Sequence, residues 1–270
     1  MSNIEEIAKS VQSNGIFKKE NWLSLSDEKK ARKIVLSIKP KKGDKSSWVS
    51  HKIFSHIIKL CKLDFKSLNR SYFFLRLANK LRLKNIAEKI FKDKAELCGI
   101  DFYYNQQSNE PVLDWHCDTA YSGKKDVKKF INEEDYAIKF FFYLTDVSAD
   151  NGCLSYIPKS NRITYALKKG IFEGKLDYTP YWSLQDYREA IKKKEYYEYI
   201  KNIVGESSII DFLDATNFQE NKDKKQNSFD NEIKKGGAII FDETGVHRGS
   251  KTKFNDRIAF RFFYKKKYLK

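Results

Sequence analysis

The sequence predicts a mainly β protein, an antiparallel sandwich or barrel with a helical N-terminal third and a helical insertion. Three observations lead there. Beyond Ile100, aromatic and β-branched runs of strand length are separated by turn residues. Before it, apolar residues recur at helical spacing. Between two of the later strands, residues 164–235 interrupt the strand rhythm with a segment rich in Tyr and Lys.

The helical third comes first. Residues 1–14 read as a short polar helix or a frayed end. Ser24-Leu25-Ser26-Asp27-Glu28 marks a helix start, with small polar residues ahead of an acidic first turn. Ala31, Ile34, Val35 and Ile38 then keep to one face until Pro40 and Gly43 stop the pattern. Another helix is expected from about Ser46 to Cys61, with Trp48, Ile53, Ile57, Ile58 and Cys61 as its apolar stripe. Two more run through Tyr72-Phe73-Phe74-Leu75 and through Leu81, Leu83, Ile86, Ile90 and Phe91, ending near Cys98-Gly99.

The strands follow. Asp101 to Gln106 is aromatic and strand-like, and Ser108-Asn109-Glu110-Pro111 turns the chain. The next strand carries Trp115-His116-Cys117-Asp118. Tyr136 to Leu144 is the strongest strand of the chain. Lys139 shares a face with Phe141 and Tyr143, and a buried lysine without a partner is costly. Its ammonium therefore either points to solvent or faces an anion in a pocket. Asp150-Asn151-Gly152-Cys153 is a tight turn, Leu154 to Ile157 a strand, and Pro158 to Arg162 its exit.

Within the insertion, Leu184 to Ile203 is helix-like, and Trp182, Tyr187, Tyr196, Tyr197 and Tyr199 give the region its aromatic character. A segment placed beside a mouth suits a lid or a substrate contact. The same tyrosines suit packing of the insertion onto the core equally well. Gln219 to Lys235 is polar and expected to be mobile. Gly236-Gly237 opens the strand Ala238 to Phe241, which leads to His247, and Arg257 to Tyr264 is the last strand.

Composition bounds the function. With 270 residues, 41% apolar and 15% aromatic, the chain can bury a core and is not expected to be disordered. The division expected is a helical, basic segment over 1–100 and a core over 101–270, together one compact unit. No run of eighteen apolar residues exists, so no membrane-spanning helix is expected. Met1 to Glu6 shows no basic region followed by an apolar stretch, so no secretory signal is read and a cytoplasmic location is expected. Cys61, Cys98, Cys117 and Cys153 are scattered, which argues against a zinc ribbon or a disulfide scaffold.

The net charge is +16, and residues 1–100 account for +13 of it, with 23 Lys and Arg against 10 Asp and Glu. The lysines stand singly among apolar positions, the pattern of a solvated face rather than a nucleic-acid-binding block. Nucleic acid is not expected as a partner. A small-molecule substrate is, and the charge is compatible with an anionic one.

The chemistry rests on few residues. Of four histidines, His51 and His56 are five apart and so do not share a helical face as paired ligands would. They read as surface or partly packed residues. His116 and Asp118, two apart in an extended segment, point to one face. His247, in Gly245-Val246-His247-Arg248-Gly249, offers a third ligand. Two histidines and a carboxylate on one side of an ion, with open positions opposite, form the ligand set of non-haem Fe(II) oxygenases. Arg257, ten residues further on, suits a dicarboxylate co-substrate, because guanidinium binds carboxylate bidentately.

Taken in order, four pieces resemble one family. They are Trp115-His116-Cys117-Asp118; Tyr143-Leu144-Thr145-Asp146-Val147 with Asn151-Gly152-Cys153-Leu154; Ile157-Pro158-Lys159-Ser160-Asn161-Arg162; and His247-Arg248-Gly249 with Arg257. Residues 101–264 resemble the phytanoyl-CoA dioxygenase family, Fe(II)- and 2-oxoglutarate-dependent oxygenases with a double-stranded β-helix (jelly-roll) core. The resemblance implies Fe(II) on His116, Asp118 and His247, and 2-oxoglutarate with its distal carboxylate on Arg257. It also implies O2 as oxidant, with succinate and CO2 released and a small metabolite or a carrier- or nucleotide-linked intermediate hydroxylated. Lys139, Thr244, Gln106 and Tyr104 are the further candidates for co-substrate contact, and Asp114 and Trp115 for orienting His116.

The chain departs from the family at Lys159 and Asn161, where Gly and His are usual, and at Gly249, where a serine often stands. The 129 positions from Asp118 to His247 exceed the usual spacing. The presence of Asp118 speaks against the halogenase branch, where that ligand is a small residue. Two other readings remain at this level. One is a catalytically idle jelly roll whose basic N-terminal part holds nucleic acid or anionic membrane. The other is an isomerase or zinc hydrolase that uses the same ligands.

Overall fold

Two antiparallel sheets face one another, and helices cover the outer face of each. The structure is a computed structural model that describes residues 4–37, 48–51, 65–118, 137–219 and 229–267. In chain order the elements are α1 (Ile4–Asn14), β1 (Ile16–Lys19), α2 (Leu25–Ser37), β2 (Trp48–His51), α3 (Phe65–Lys80), α4 (Leu83–Phe91), β3 (Ala95–Asn105), β4 (Ser108–His116), β5 (Ala137–Tyr143) and β6 (Leu154–Tyr156). The insertion supplies α5 (Ser160–Phe172), α6 (Leu184–Lys192), α7 (Lys194–Val204) and α8 (Glu206–Ala215). The chain then returns through β7 (Asp230–Asn231), β8 (Ala238–Asp242), β9 (His247–Thr252) and β10 (Arg257–Lys266). The larger sheet runs β1-β8-β5-β10-β3-β2, and the smaller β4-β9-β6-β7.

Period-two alternation sorts the side chains of β5 and β10. Ile138, Phe140 and Phe142 pack with Ile258, Phe260, Phe262 and Tyr264 beneath the N-terminal helices. The Phe142 and Phe260 rings stack at 5.0 Å with 6° between their planes. Phe74 of α3 enters the same layer, 4.8 Å from Phe102 and 5.0 Å from Phe260. Burying one such ring contributes about 1.5–3 kcal/mol. The residues between them, Phe141, Tyr143 and Ala259, face inward and meet Leu154 and Tyr156 of the smaller sheet. Lys139, Arg257 and Arg261 share that inward parity. The insertion forms its own core against Trp115, Ile157 and Val246.

Two expectations need correction. The chain is not mainly β, because among the described residues helices outweigh strands. The excess lies in the insertion, where four helices form instead of one. Nor is the helix expected from about Ser46 to Cys61 seen where its residues are described. Trp48–His51 is a strand, paired with Ile100–Tyr103 of β3, so long-range pairing outweighs local helical spacing there. The rest of that expected helix, with His56, lies outside the described residues, as do positions 220–228 of the polar stretch. Strands β1 and β2 and the start of β3 also lie within the first hundred residues, so that part of the chain is helical only in part.

Candidate metal centre

His116 closes β4 and His247 opens β9, and the two strands pair so that these histidines stand directly opposite. Their rings lie 4.4 Å apart, and both are buried. Each ring is held from behind. His116 Nδ1 lies 2.6 Å from the Asp114 carbonyl, and His247 Nδ1 lies 2.8 Å from the Gly245 carbonyl. With Nδ1 donating, Nε2 of each ring is left as the acceptor that a metal requires. Asp118 sits just past the strand end and turns back, its Oδ1 3.7 Å from His116 Nε2 and its Oδ2 3.0 Å from His247 Nε2. Its main-chain N–H donates to the Glu243 carbonyl, which anchors that return. The three ligand atoms all lie within 4.8 Å of one another.

Charge around the ligands is arranged. Lys139 contacts Asp118 Oδ2 on one side and lies 3.2 Å from Glu243 Oε2 on the other. It is 2% exposed, so the choice left open in the sequence falls to the pocket. Burial works to raise the Asp118 carboxyl, but Lys139 and His247 overcome it and hold the group well below the usual carboxylate range. Burial pushes the Glu243 carboxyl up, with Lys139 opposing and Asp118 adding to the rise. Burial also lowers His247, against the pull of Asp118, and so favours the neutral ring that can ligate.

Arg257 is buried on the inward face of β10. Its Nε donates to Asn105 Oδ1 at 2.9 Å, and a terminal nitrogen donates to the Gly152 carbonyl at 3.1 Å. The guanidinium lies over the Phe141 ring at 5.6 Å. No carboxylate pairs with it among the described residues. Beside it lies the buried hydroxyl of Tyr143, next to the main chain of Leu154. A buried cation with a hydroxyl beside it fits a carboxylate guest. Arg261, further along the strand, is already matched by Asp101 at 2.5 Å.

Other candidates fall differently. Thr244 is committed to its own turn, its hydroxyl donating to Asp242 Oδ1 at 2.6 Å. Tyr104 packs in the outer layer and donates to Asp256 at 2.6 Å, so it is off the inward face. Gln106 is fixed through its carbonyl, which accepts from the Thr252 hydroxyl. The inward residues of β3 are instead Tyr103 and Asn105, opposite Ala259 and Arg257. Asp114 orients His116 through its main-chain carbonyl rather than its carboxylate, which accepts from Trp115 N–H. Trp115 packs with Phe218 and Phe229, under the guanidinium of Arg248.

Glu243 and Tyr143 were not among the sequence candidates, and Trp182 stood only as one aromatic of the insertion. Tyr143 was legible through its parity with Lys139. Glu243 lies in a turn that carries no signal. Trp182 belongs to the insertion, yet its ring lies 5.7 Å from that of His116 while remaining 41% exposed. Its carbonyl accepts from Cys117 N–H at 3.0 Å, and a capping box at Ser183 and Asp186 fixes the helix start behind it.

The sequence profile of the phytanoyl-CoA dioxygenase family matches residues 62–258. The chain belongs to the phytanoyl-CoA dioxygenase family. The match reaches some forty residues further toward the N-terminus than the resemblance read from the sequence. This member of the family is a 2-oxoglutarate-dependent oxygenase, and its chemistry uses Fe(II), 2-oxoglutarate and O2.

No curated protein sequence matches this family member significantly. Solved structures share its fold. HygX from Streptomyces hygroscopicus, with nickel, 2-oxoglutarate and hygromycin B bound, superposes with a TM-score of 0.58 at 12% identity, covering 98% of this chain and 88% of that one. EvdO2 from Micromonospora carbonacea var. aurantiaca, complexed with 2-oxoglutarate, gives 0.54 at 11% identity, covering 97% and 90%. EctD from S. alaskensis gives 0.53 at 15%, covering 96% and 75%. No helix among the described residues is long and apolar enough to cross a membrane.

Proposed function

We propose that His116, Asp118 and His247 hold Fe(II), that Arg257 anchors the distal carboxylate of 2-oxoglutarate, and that the enzyme hydroxylates a small metabolite. The convergence of three ligand atoms within 4.8 Å, each histidine turning its Nε2 toward the Asp118 carboxylate, is the observation that carries this reading. It is supported by the buried, carboxylate-free guanidinium on the neighbouring wall. The two facing sheets are then the halves of a double-stranded β-helix. The N-terminal helices are its outer cover rather than a separate unit, since their apolar residues share one core with the larger sheet.

Bound Fe(II) supplies oxygen activation coupled to oxidative decarboxylation of 2-oxoglutarate, releasing succinate and CO2. The chain's own residues do the rest. The Asp114 and Gly245 carbonyls fix the ring orientation of both histidines. Asn105 and Gly152 hold the Arg257 fork so that it presents a defined edge. Phe141, Tyr143 and Phe241 line the interior between the sheets and exclude water from it.

Trp182 supplies an open apolar face beside His116, against which a ring-bearing substrate would lie. HygX is solved with hygromycin B bound, which supports a small-molecule substrate here. Purified protein incubated with Fe(II), ascorbate and labelled 2-oxoglutarate should yield succinate. His116→Ala should lower that yield by at least about a hundredfold, more than the loss of a supporting residue would cause. A His116→Ala protein that forms succinate as fast as the wild type would falsify the assignment.

A further inference from the structure

We propose that Lys139 and Glu243 set how tightly this site holds its divalent cation, in opposite senses and through Asp118. The inference rests on the ligand reading of His116, Asp118 and His247 given above. Lys139 Nζ contacts Asp118 Oδ2, the same oxygen that His247 Nε2 approaches at 3.0 Å. Its other neighbour is Glu243 Oε2 at 3.2 Å. Lys139 is 2% exposed and Glu243 4%, so solvent screens the pair poorly.

Three charged groups therefore meet where the cation would sit: the Asp118 carboxylate, the Lys139 ammonium against it, and the Glu243 carboxylate behind that ammonium. The neighbouring Asp242 carboxylate, 1% exposed, is turned to Thr244 and Asn161. A divalent cation and a dicarboxylate attract one another, so each strengthens the other by the same factor. Fixed charges beside the cation change how tightly it is held. Lys139 opposes the cation and Glu243 favours it. Both act as positioning residues, through Asp118 and through charge.

The test is calorimetric titration of Ni2+ into metal-free protein, alone and with saturating 2-oxoglutarate, at one pH. Wild type, Lys139→Met, Glu243→Gln and the double variant are compared. Wild-type affinity for Ni2+ should rise about tenfold or more with 2-oxoglutarate, within the usual range of couplings between sites. Glu243→Gln should weaken Ni2+ alone and Lys139→Met should strengthen it, each by about tenfold. The enhancement by 2-oxoglutarate should be of similar size in all four, because it measures the attraction between the two guests.

The double variant removes both charges at once and should return close to wild type. It differs from Glu243→Gln only at Lys139, so that comparison stands even if Lys139→Met does not fold. Equal weakening by both single changes, or no change in either, overturns the proposal, and a wild type that binds no Ni2+ overturns the ligand reading. A wild type that binds Ni2+ but ignores 2-oxoglutarate overturns the reading of Arg257 instead. The opposite-signed shifts with Ni2+ alone then still decide the roles of Lys139 and Glu243.

Discussion

Arg257 donates to the carbonyl of Gly152, and the α-carbon of that same glycine lies bare against the arginine side chain. A Cβ there would come 2.9 Å from Arg257 Cδ, and the residue sits at φ +79°. Both the close approach and the left-handed backbone call for glycine. Gly152→Ala is expected to cost about 1–3 kcal/mol of stability and to displace the guanidinium. Chemical denaturation, together with a weakened response to 2-oxoglutarate, measures the two effects.

Arg257 itself separates stability from binding. A buried guanidinium with no carboxylate partner is not a net stabiliser of the empty protein, and an apolar replacement of similar reach is often neutral or better. Arg257→Met should leave the melting temperature unchanged or raise it. The same change should weaken 2-oxoglutarate by about a hundredfold, the scale of a lost charge-assisted pair. Thermal melting and co-substrate titration on one preparation check both.

Acid acts on the metal-free protein through His247. Burial holds its imidazole below the ordinary value of 6.5, so the unfolded chain takes up a proton there that the folded chain refuses. Stability is then fully present above that value and declines as the pH falls below it. The melting temperature should drop from about pH 7 to about pH 5, and His247→Gln should flatten that slope. Asp118 works in the same direction in more acid solution, because its carboxyl is depressed in the folded state and must take a proton there.

Trp182 should report on the ion. Its ring is 5.7 Å from that of His116, and it is one of four tryptophans in the chain. Ni2+ is expected to quench part of the indole emission, and Trp182→Phe to remove most of that quench while Ni2+ affinity stays within about twofold. Quenching of the same depth in the variant would place the ion elsewhere.

Much of this was legible in the letters because parity is local. Lys139 with Tyr143 follows from alternation along a strand, and the two-residue spacing of His116 and Asp118 pointed to one site, although Asp118 reaches it from a turn just past the end of β4. Alternation alone does not say which face of β3 is inward, and Tyr104 lies on the outer one. Its neighbours Tyr103 and Asn105 hold the inward parity, and only the register with Ala259 and Arg257 shows which face is inward. Glu243 could not be read, because it reaches Lys139 from a turn whose course is set by Asp242 and its bonds to Thr244 and Asn161. Trp182 is brought to His116 by the fold of the insertion, across 66 positions of sequence. The strand at Trp48–His51 was hidden for a similar reason, since its partner lies about fifty positions away.

The facing of His116 and His247 across β4 and β9 has a mechanical consequence. The two are 131 positions apart, so an ion shared between them closes a large loop and acts as a removable cross-link between the strands. Loss of the ion should therefore loosen not the pocket alone but the seam on which the smaller sheet and the overlying insertion depend. Amide protons along that seam should exchange faster once a chelator has taken the ion away.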